Sequence, residues 1–177
     1  MNPRSESPVE YADLNDGFVV IRVQGRGTHL HAPCLDYILR RYKAGQSSPR
    51  FIFDLGHCTM MDSTFMGVLA SMGIHQWKSS QSRLVVTNIR DHVRELLDTL
   101  GLKHIVEMRG ASMTDDGRSA DMTSFEPVAT PDLSRRDRIL MMLEAHQKLI
   151  DIDSKNEVKF QNVMKQLQDG LKDEHDG

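Results

Sequence analysis

Three consecutive residues with side-chain oxygens, Asp62, Ser63 and Thr64, interrupt an apolar part of the sequence. The run that follows them, 65–77, has apolar residues at helical spacing. An aspartate or serine at the start of a helix accepts hydrogen bonds from unpaired N–H groups of the first turn. The same helix end favours a phosphate on an exposed Ser63 hydroxyl, because free donors and the helix dipole attract negative charge. A helix cap and a modification site therefore both stay open, and both can hold at once.

The elements around these residues predict an α/β fold. Asp16-Gly17 lies between the strand-like runs 9–14 and 18–25, which is a strong signal for an antiparallel hairpin. Helical and strand patterns then alternate to give the order β-β-α-β-α-β-α-β, ending near Met108. This order predicts a mixed β-sheet with an N-terminal antiparallel hairpin and helices packed on it. The three oxygen-bearing residues fall at a strand-to-helix junction.

A different pattern follows the predicted domain. Residues 109–129 are rich in Gly, Ser, Thr and Asp and predict a flexible linker. Residues 130–177 predict a C-terminal helical extension, in which Thr130 caps the first helix and Pro131 is its first residue. The polar run 151–157 favours two helices over one long helix. Their apolar stripes must pack on the domain, on each other, or on a second copy as a homodimer.

Composition and motifs argue against several classes of function. The 22 basic and 25 acidic residues give a net charge of -3, so no basic field favours nucleic acid or an anionic membrane. No apolar stretch approaches the ~20 residues of a membrane span, and the N-terminal residues lack a secretory signal core, so a cytoplasmic protein is expected. The sequence contains no nucleophile elbow, phosphate-cradling loop or dinucleotide fingerprint, so we predict that the protein is not an enzyme.

The cysteines and loop histidines do not form a recognisable metal or cofactor motif. Cys34 and Cys58 lack the spacing of a zinc site or a disulfide framework and are typical of small buried apolar residues. His29, His31 and His57 lack accompanying carboxylate or cysteine ligands, so loop or capping roles are favoured. We predict no metal site and no cofactor.

The segment "DLGHCTMMDSTFMGVLASM" resembles the phosphorylation-site segment of STAS domains, the sulfate-transporter and anti-sigma-factor-antagonist family. The typical family form is a strand ending in Asp-Leu, then Asp-Ser-Thr or Asp-Ser-Ser, then Gly-Leu-Gly-Val-Leu. The resemblance covers roughly residues 8 to 108, so a STAS domain is expected over 1–108. Phe65 replaces the usual Gly and Met66 the usual Leu, so Phe65 either packs into the core or adds an apolar knob beside Ser63. The matching positions are Asp54, Leu55, Asp62, Ser63, Thr64, Gly67, Val68 and Leu69.

The resemblance implies a switch by reversible phosphorylation. An anti-sigma factor antagonist binds a cognate anti-sigma factor that is also a serine kinase, and phosphorylation of the serine matching Ser63 switches it off until a serine phosphatase resets it. Asp62, Thr64, Phe65 and Met66 are then the expected partner-binding residues. A phosphoserine carries about -1.5 to -2 charge, so beside Asp62 it should weaken partner binding without unfolding the domain.

Two other interpretations stay open. The first is a STAS scaffold or oligomerisation module in a larger regulatory assembly, in which Ser63 serves only as a helix cap. The other is a small-ligand sensor. Exposure separates the antagonist from the scaffold, because the antagonist needs an exposed Ser63 Oγ whereas the scaffold is served by a buried capping hydroxyl.

Overall fold

Eight strands and five helices make up the part of the chain that the computed structural model describes, residues 8–44, 49–110 and 124–173. The strands are β1 (Val9–Asp13), β2 (Phe18–Val23), β3 (Gly25–Gly27), β4 (Arg50–Asp54), β5 (Cys58–Met61), β6 (Leu84–Thr87), β7 (Val106–Met108) and β8 (Glu126–Pro127). The helices are α1 (Ala32–Ala44), α2 (Ser63–Ser80), α3 (Asp91–Thr99), α4 (Arg135–Ile152) and α5 (Lys155–Asp173), with a short 3-10 helix at Leu102–His104.

Six of the strands form one mixed sheet in the order β7-β6-β4-β2-β1-β8. The hairpin β1–β2 is antiparallel, and its turn places Asn15 and Gly17 at positive φ angles of 57° and 89°. From β2 onward the pairs β2–β4, β4–β6 and β6–β7 are parallel, each joined through a helix-containing connection. The predicted α/β fold class, with its mixed sheet and N-terminal hairpin, is therefore confirmed. The separate parallel pair β3–β5 was not predicted.

The core lies between one face of this sheet and helices α1, α2 and α3. Alternate residues of β2 and β4 point into it, as the two-residue repeat of a strand requires. Helix α2 is buried along most of its N-terminal half, which places its first turn at the edge of the core. The largest fully buried side chains are Phe51, Phe53, Phe65, Ile21, Leu35, Ile38, Leu55, Leu69, Met72, Leu84, Leu97 and Leu102.

The predicted linker, 109–129, is described only at its two ends, and residues 111–123 lie outside the described part. At the C-terminal end, strand β8 pairs antiparallel with β1 and extends the sheet. Val128 follows it with only 3% of its surface exposed, and its backbone N–H donates to the Val9 carbonyl oxygen at 2.9 Å. The chain that leads into α4 is therefore attached to the sheet edge.

Helices α4 and α5 form an antiparallel hairpin. Helix α4 begins at Arg135, after the predicted Thr130-Pro131 start, because Ser134 caps it by accepting a hydrogen bond from the Asp137 N–H at 3.0 Å. The chain leaves the helix at Asp153, whose carboxylate accepts from the Lys155 N–H at 3.0 Å as α5 begins. None of the described helices has the length and apolar character needed to cross a membrane.

Candidate functional site at the N-terminus of helix α2

Asp62 is the N-cap of helix α2. Its backbone is extended, and its Oδ1 accepts a hydrogen bond from the Phe65 N–H at 2.9 Å. Its Oδ2 accepts from the backbone N–H of His29 at 2.6 Å and lies 3.2 Å from the Nδ1 of the same residue. One carboxylate thus satisfies a donor of the first turn and holds the loop before α1 against the helix end. Of the two residues predicted as caps, Asp62 caps the helix and Ser63 does not.

Ser63 is the first residue of the helix, and its hydroxyl contacts the C-terminal part of the chain. Its Oγ lies 2.9 Å from Nε2 of His146, a residue of α4 that is 83 positions away in the sequence. Ser63 is partly buried, and His146 is only 2% exposed. The hydroxyl is therefore neither a cap nor a freely exposed group.

The second nitrogen of His146 gives this hydrogen bond its direction when the imidazole is neutral. Nδ1 lies 2.7 Å from the carbonyl oxygen of Met142, which can only accept, so Nδ1 carries the proton. In the neutral imidazole Nε2 is then an acceptor, and the Ser63 hydroxyl donates to it. The distance from Ser63 Oγ to His146 Nε2 is similar to that between a catalytic serine and its histidine base. In this protein, however, a backbone carbonyl orients the imidazole, whereas a carboxylate does so in a catalytic triad.

Helices α2 and α4 are in close backbone contact one turn beyond Ser63. A Cβ added to Gly67 would lie 2.3 Å from the carbonyl oxygen of Ala145 and 2.6 Å from its carbonyl carbon. Only glycine lets the two backbones approach this far. Ala145 is 1% exposed, so α4 lies directly over the first two turns of α2.

A second anchor holds the other end of the helical hairpin. Asn156, at the start of α5, is fully buried, and its Nδ2 donates to the carbonyl oxygens of Leu100 at 3.0 Å and Leu149 at 2.7 Å. Lys159 Nζ donates to the Thr99 carbonyl oxygen at 2.8 Å. These bonds connect the α4–α5 turn to the C-terminal end of α3.

The other residues predicted to bind a partner lie beneath the helix end. Thr64 and Met66 are each 3% exposed, and Phe65 is fully buried. The Phe65 ring packs under Gly27, where an added Cβ would lie 2.8 Å from the ring. Of the two positions considered for Phe65, the structure shows core packing. Asp62 alone of these four keeps a substantial exposed part, 27% of its side chain.

Asp54, at the C-terminal end of β4, forms a buried polar cluster. Its carboxylate accepts from Arg22 Nε at 3.1 Å, Asn88 Nδ2 at 2.9 Å and the Gly56 N–H at 3.1 Å. Burial acts to raise the pKa of Asp54, but the hydrogen bonds from Asn88, Gly56 and Arg22 outweigh it and the pKa is lowered. The aspartate that ends this strand therefore fixes the connection to β5 in its charged form.

Comparison with known proteins identifies the family. Residues 12–107, more than half of the chain, match the family described as "Mlab, STAS domain". The chain belongs to the STAS domain family. The matched range runs from β1 to β7 of the described fold, so α4 and α5 lie outside the STAS domain proper. No curated protein matches the sequence.

Two solved structures are similar to the STAS domain. The structure of the anti-sigma factor antagonist SpoIIAA in its unphosphorylated form has 16% sequence identity and a TM-score of 0.47, covering 61% of this chain and 91% of that chain. The structure of the Bacillus cell fate determinant SpoIIAA in the phosphorylated form has 17% identity and a TM-score of 0.47, covering 61% and 93%.

The site includes three residues that no sequence motif identified: Ala145, His146 and Asn156. The helical periodicity places His146 in the apolar stripe of α4, and Asn156 falls in the polar break between the two helices. A signal was present for both, since a polar side chain at a buried position of a helix requires a partner. Which partner it finds depends on how the hairpin docks, and periodicity does not specify that.

Proposed function

We propose that this chain is a cytoplasmic STAS-type signalling protein, an anti-sigma factor antagonist or close relative. It acts by binding an anti-sigma factor that is also a serine kinase, and phosphorylation at Ser63 switches it off. A serine phosphatase restores the binding form. Membership of the STAS family supports this proposal, as does the match of Asp62, Ser63 and Thr64 to the phosphorylation-site pattern.

The observation that carries the proposal is the division of roles between Asp62 and Ser63. Because Asp62 caps α2, the Ser63 Oγ is not needed by the backbone of its own helix. Its described hydrogen bond is to a distant side chain that can be exchanged for another partner. A hydroxyl at the first helical position, free of a capping role, suits reversible modification.

The effect of the phosphate is expected to be local. About -1.5 to -2 charge would be added next to the Asp62 carboxylate. The positive end of the helix dipole stabilises that charge, so the fold persists while partner affinity falls. Asp62 contributes to the docking surface directly, whereas partner contacts of Thr64, Phe65 and Met66 require these buried side chains to become accessible.

Site-localised phosphopeptide mass spectrometry tests the proposal. The full chain is incubated with Mg-ATP and an extract of the cells that produce it, beside the Ser63→Ala variant. We expect phosphate on Ser63 in the wild type and none at this position in the variant. We also expect the extract to remove the phosphate after ATP is depleted. Complete coverage of the peptide without phosphate under several growth conditions would count against the switch.

A second candidate is a STAS scaffold or oligomerisation module that is never phosphorylated. The observation that favours it is the coverage of Ser63 by α4, which leaves the hydroxyl bonded within the chain. A stable homodimer by light scattering, together with an unmodified Ser63, would support this function over the first.

A further inference from the structure

The two C-terminal helices cover the end of α2 that carries Ser63. We infer that residues 135–173, here called the helical cover, withhold Ser63 from macromolecular partners when docked and must move away before a partner reaches it. The identity of that partner as a serine kinase rests on the proposed function. The inference itself concerns access to the hydroxyl.

A kinase needs a defined geometry around the hydroxyl that it phosphorylates. Its catalytic base must come within hydrogen-bond reach of the attacking hydroxyl, and the phosphate donor must lie in line with it. In the docked structure that hydroxyl lies 2.9 Å from Nε2 of His146, a side chain of α4 that is only 2% exposed. One turn further along α2, Gly67 is in backbone contact with Ala145. A kinase domain has no approach from this side while α4 is in place.

The two helices of the cover pack against each other as well as against the domain. The ring of Phe160 in α5 packs edge-on against His146, with the ring centroids 4.9 Å apart. A Cβ added to Gly170, near the end of α5, would lie 3.5 Å from Ile139 at the start of α4. The two helices therefore contact each other near the middle of α4 and near its N-terminal end, so they can separate from α2 as one unit.

Phosphorylation of Ser63 changes the contact on which the docked cover lies. A phosphoryl group on Oγ replaces the proton that Ser63 donates to His146. It also brings a dianionic group beside Asp62. The added group does not fit in the 2.9 Å between Oγ and Nε2, so phosphorylation keeps the cover open once a kinase has gained access.

Thiol labelling of a Ser63→Cys chain tests access without a kinase. Gly67→Ala adds a methyl group against the Ala145 backbone and should displace α4. Gly73→Ala is the matched control in the same helix, because its added Cβ would meet its nearest neighbours at an ordinary 3.6 Å. Labelling with N-ethylmaleimide is followed by intact mass. Cys34 and Cys58 are fully buried, and burial raises the pKa of the Cys58 thiol, so the background is slow.

The expected result is slow labelling of Ser63→Cys, a rate on the order of tenfold higher with Gly67→Ala, and no change with Gly73→Ala. Equal rates in the Gly67→Ala and Gly73→Ala chains would overturn the inference, as would labelling of the parent Ser63→Cys chain at the rate of an unfolded control. Hydrogen exchange of β2 and β4 verifies that each variant keeps its sheet. Should Gly67→Ala lose the sheet, Asn156→Ala opens the cover from its other anchor and decides the same question.

Phosphorylation of the wild-type, Gly67→Ala and Gly73→Ala chains in the cell extract then separates the two proposals. Faster modification of Ser63 in Gly67→Ala alone supports both. A second outcome is that Gly67→Ala speeds labelling of the Ser63→Cys thiol while Ser63 carries no phosphate in any chain. That outcome supports the cover and contradicts the phosphorylation switch. Equal phosphorylation in all three chains contradicts the cover and leaves the switch standing.

Discussion

Replacement of Asn156 by aspartate should release the helical cover, although the two side chains have nearly the same shape. The Asn156 amide donates two hydrogen bonds to carbonyl oxygens at 2.7 and 3.0 Å in a fully buried position. A carboxylate cannot donate, so Asn156→Asp places oxygen against oxygen and leaves the Leu100 carbonyl unsatisfied, while the Leu149 carbonyl keeps the hydrogen bond from the Asp153 N–H at 3.2 Å. Asn156→Ala loses the same two donors without adding a charge.

The expected cost follows from these two bonds. A buried hydrogen bond contributes about 1 kcal/mol, and each buried acceptor left unsatisfied costs about 1–3 kcal/mol. Loss of the bond to Leu149 and an unsatisfied Leu100 carbonyl together should weaken docking by about 2–4 kcal/mol in Asn156→Ala. A similar cost is expected for Asn156→Asp, whose carboxylate keeps Lys159 Nζ, 3.3 Å from Oδ1 in the wild type, as a charge partner. At 1.4 kcal/mol for each factor of ten, this cost corresponds to about 30-fold to 1000-fold faster hydrogen exchange of the amides that exchange through opening of the cover.

Hydrogen exchange of the α4 and α5 amides is the assay, because the cover can open while the sheet stays folded. Asn162 is the matched control, since it is exposed in the same helix. Asn162→Ala and Asn162→Asp should change stability by less than about 0.5 kcal/mol. The prediction is wrong if the α4 and α5 amides exchange no faster in the Asn156→Asp chain than in the Asn162→Asp chain.

Two further predictions concern the STAS domain itself. Gln76 is 1% exposed, accepts from the Phe51 N–H at 2.7 Å and donates to the Arg83 carbonyl oxygen at 2.8 Å. Gln76→Met loses both bonds and should lower the free energy of unfolding, measured in urea, by about 2–4 kcal/mol. The control Gln166→Met, at an exposed position, should leave that free energy unchanged. The pKa of Asp54 is lowered in the fold, so its stabilising contribution is present above the unfolded value of about 3.9 and is lost as the pH falls through the folded value. Asp54→Asn should therefore be less stable than wild type at pH 7, and the difference in stability should narrow below about pH 4. A difference in melting temperature that does not change with pH would contradict this.

The STAS domain could be predicted because its signals are local. The Asp16-Gly17 turn, the apolar strand runs and the helical periodicities each depend on neighbouring residues alone. The pair β3–β5 was not predicted, because strands of three and four residues that include Gly25 and Gly27 show no clear alternation. The start of α4 was placed too early because Pro131 is a strong local signal, whereas the cap formed by Ser134 lies downstream of it.

The position of Ser63 at the N-terminus of a helix was predictable, but its environment was not. Its partner His146 lies 83 residues away, and the two meet only because Asn156 and the Gly67–Ala145 contact fix how the cover docks. The sequence left three places open for the apolar stripes of the extension, and the structure shows them packed on the domain and on each other. Tertiary docking of this kind carries no periodic signature.

The magnitudes indicate which contacts decide whether the cover is closed. The hydrogen bond between Ser63 and His146 contributes about 1 kcal/mol, which shifts an equilibrium only about fivefold. The buried Asn156 anchor and the packing of α4 on α2 contribute more, so loss of the Ser63 hydrogen bond alone would leave the cover mostly docked. Phosphorylation must therefore act through the bulk and charge it adds at a contact of 2.9 Å, beside the carboxylate of Asp62. For the same reason Ser63→Ala should keep the cover closed, which makes it a control that removes the modification without mimicking its effect on docking.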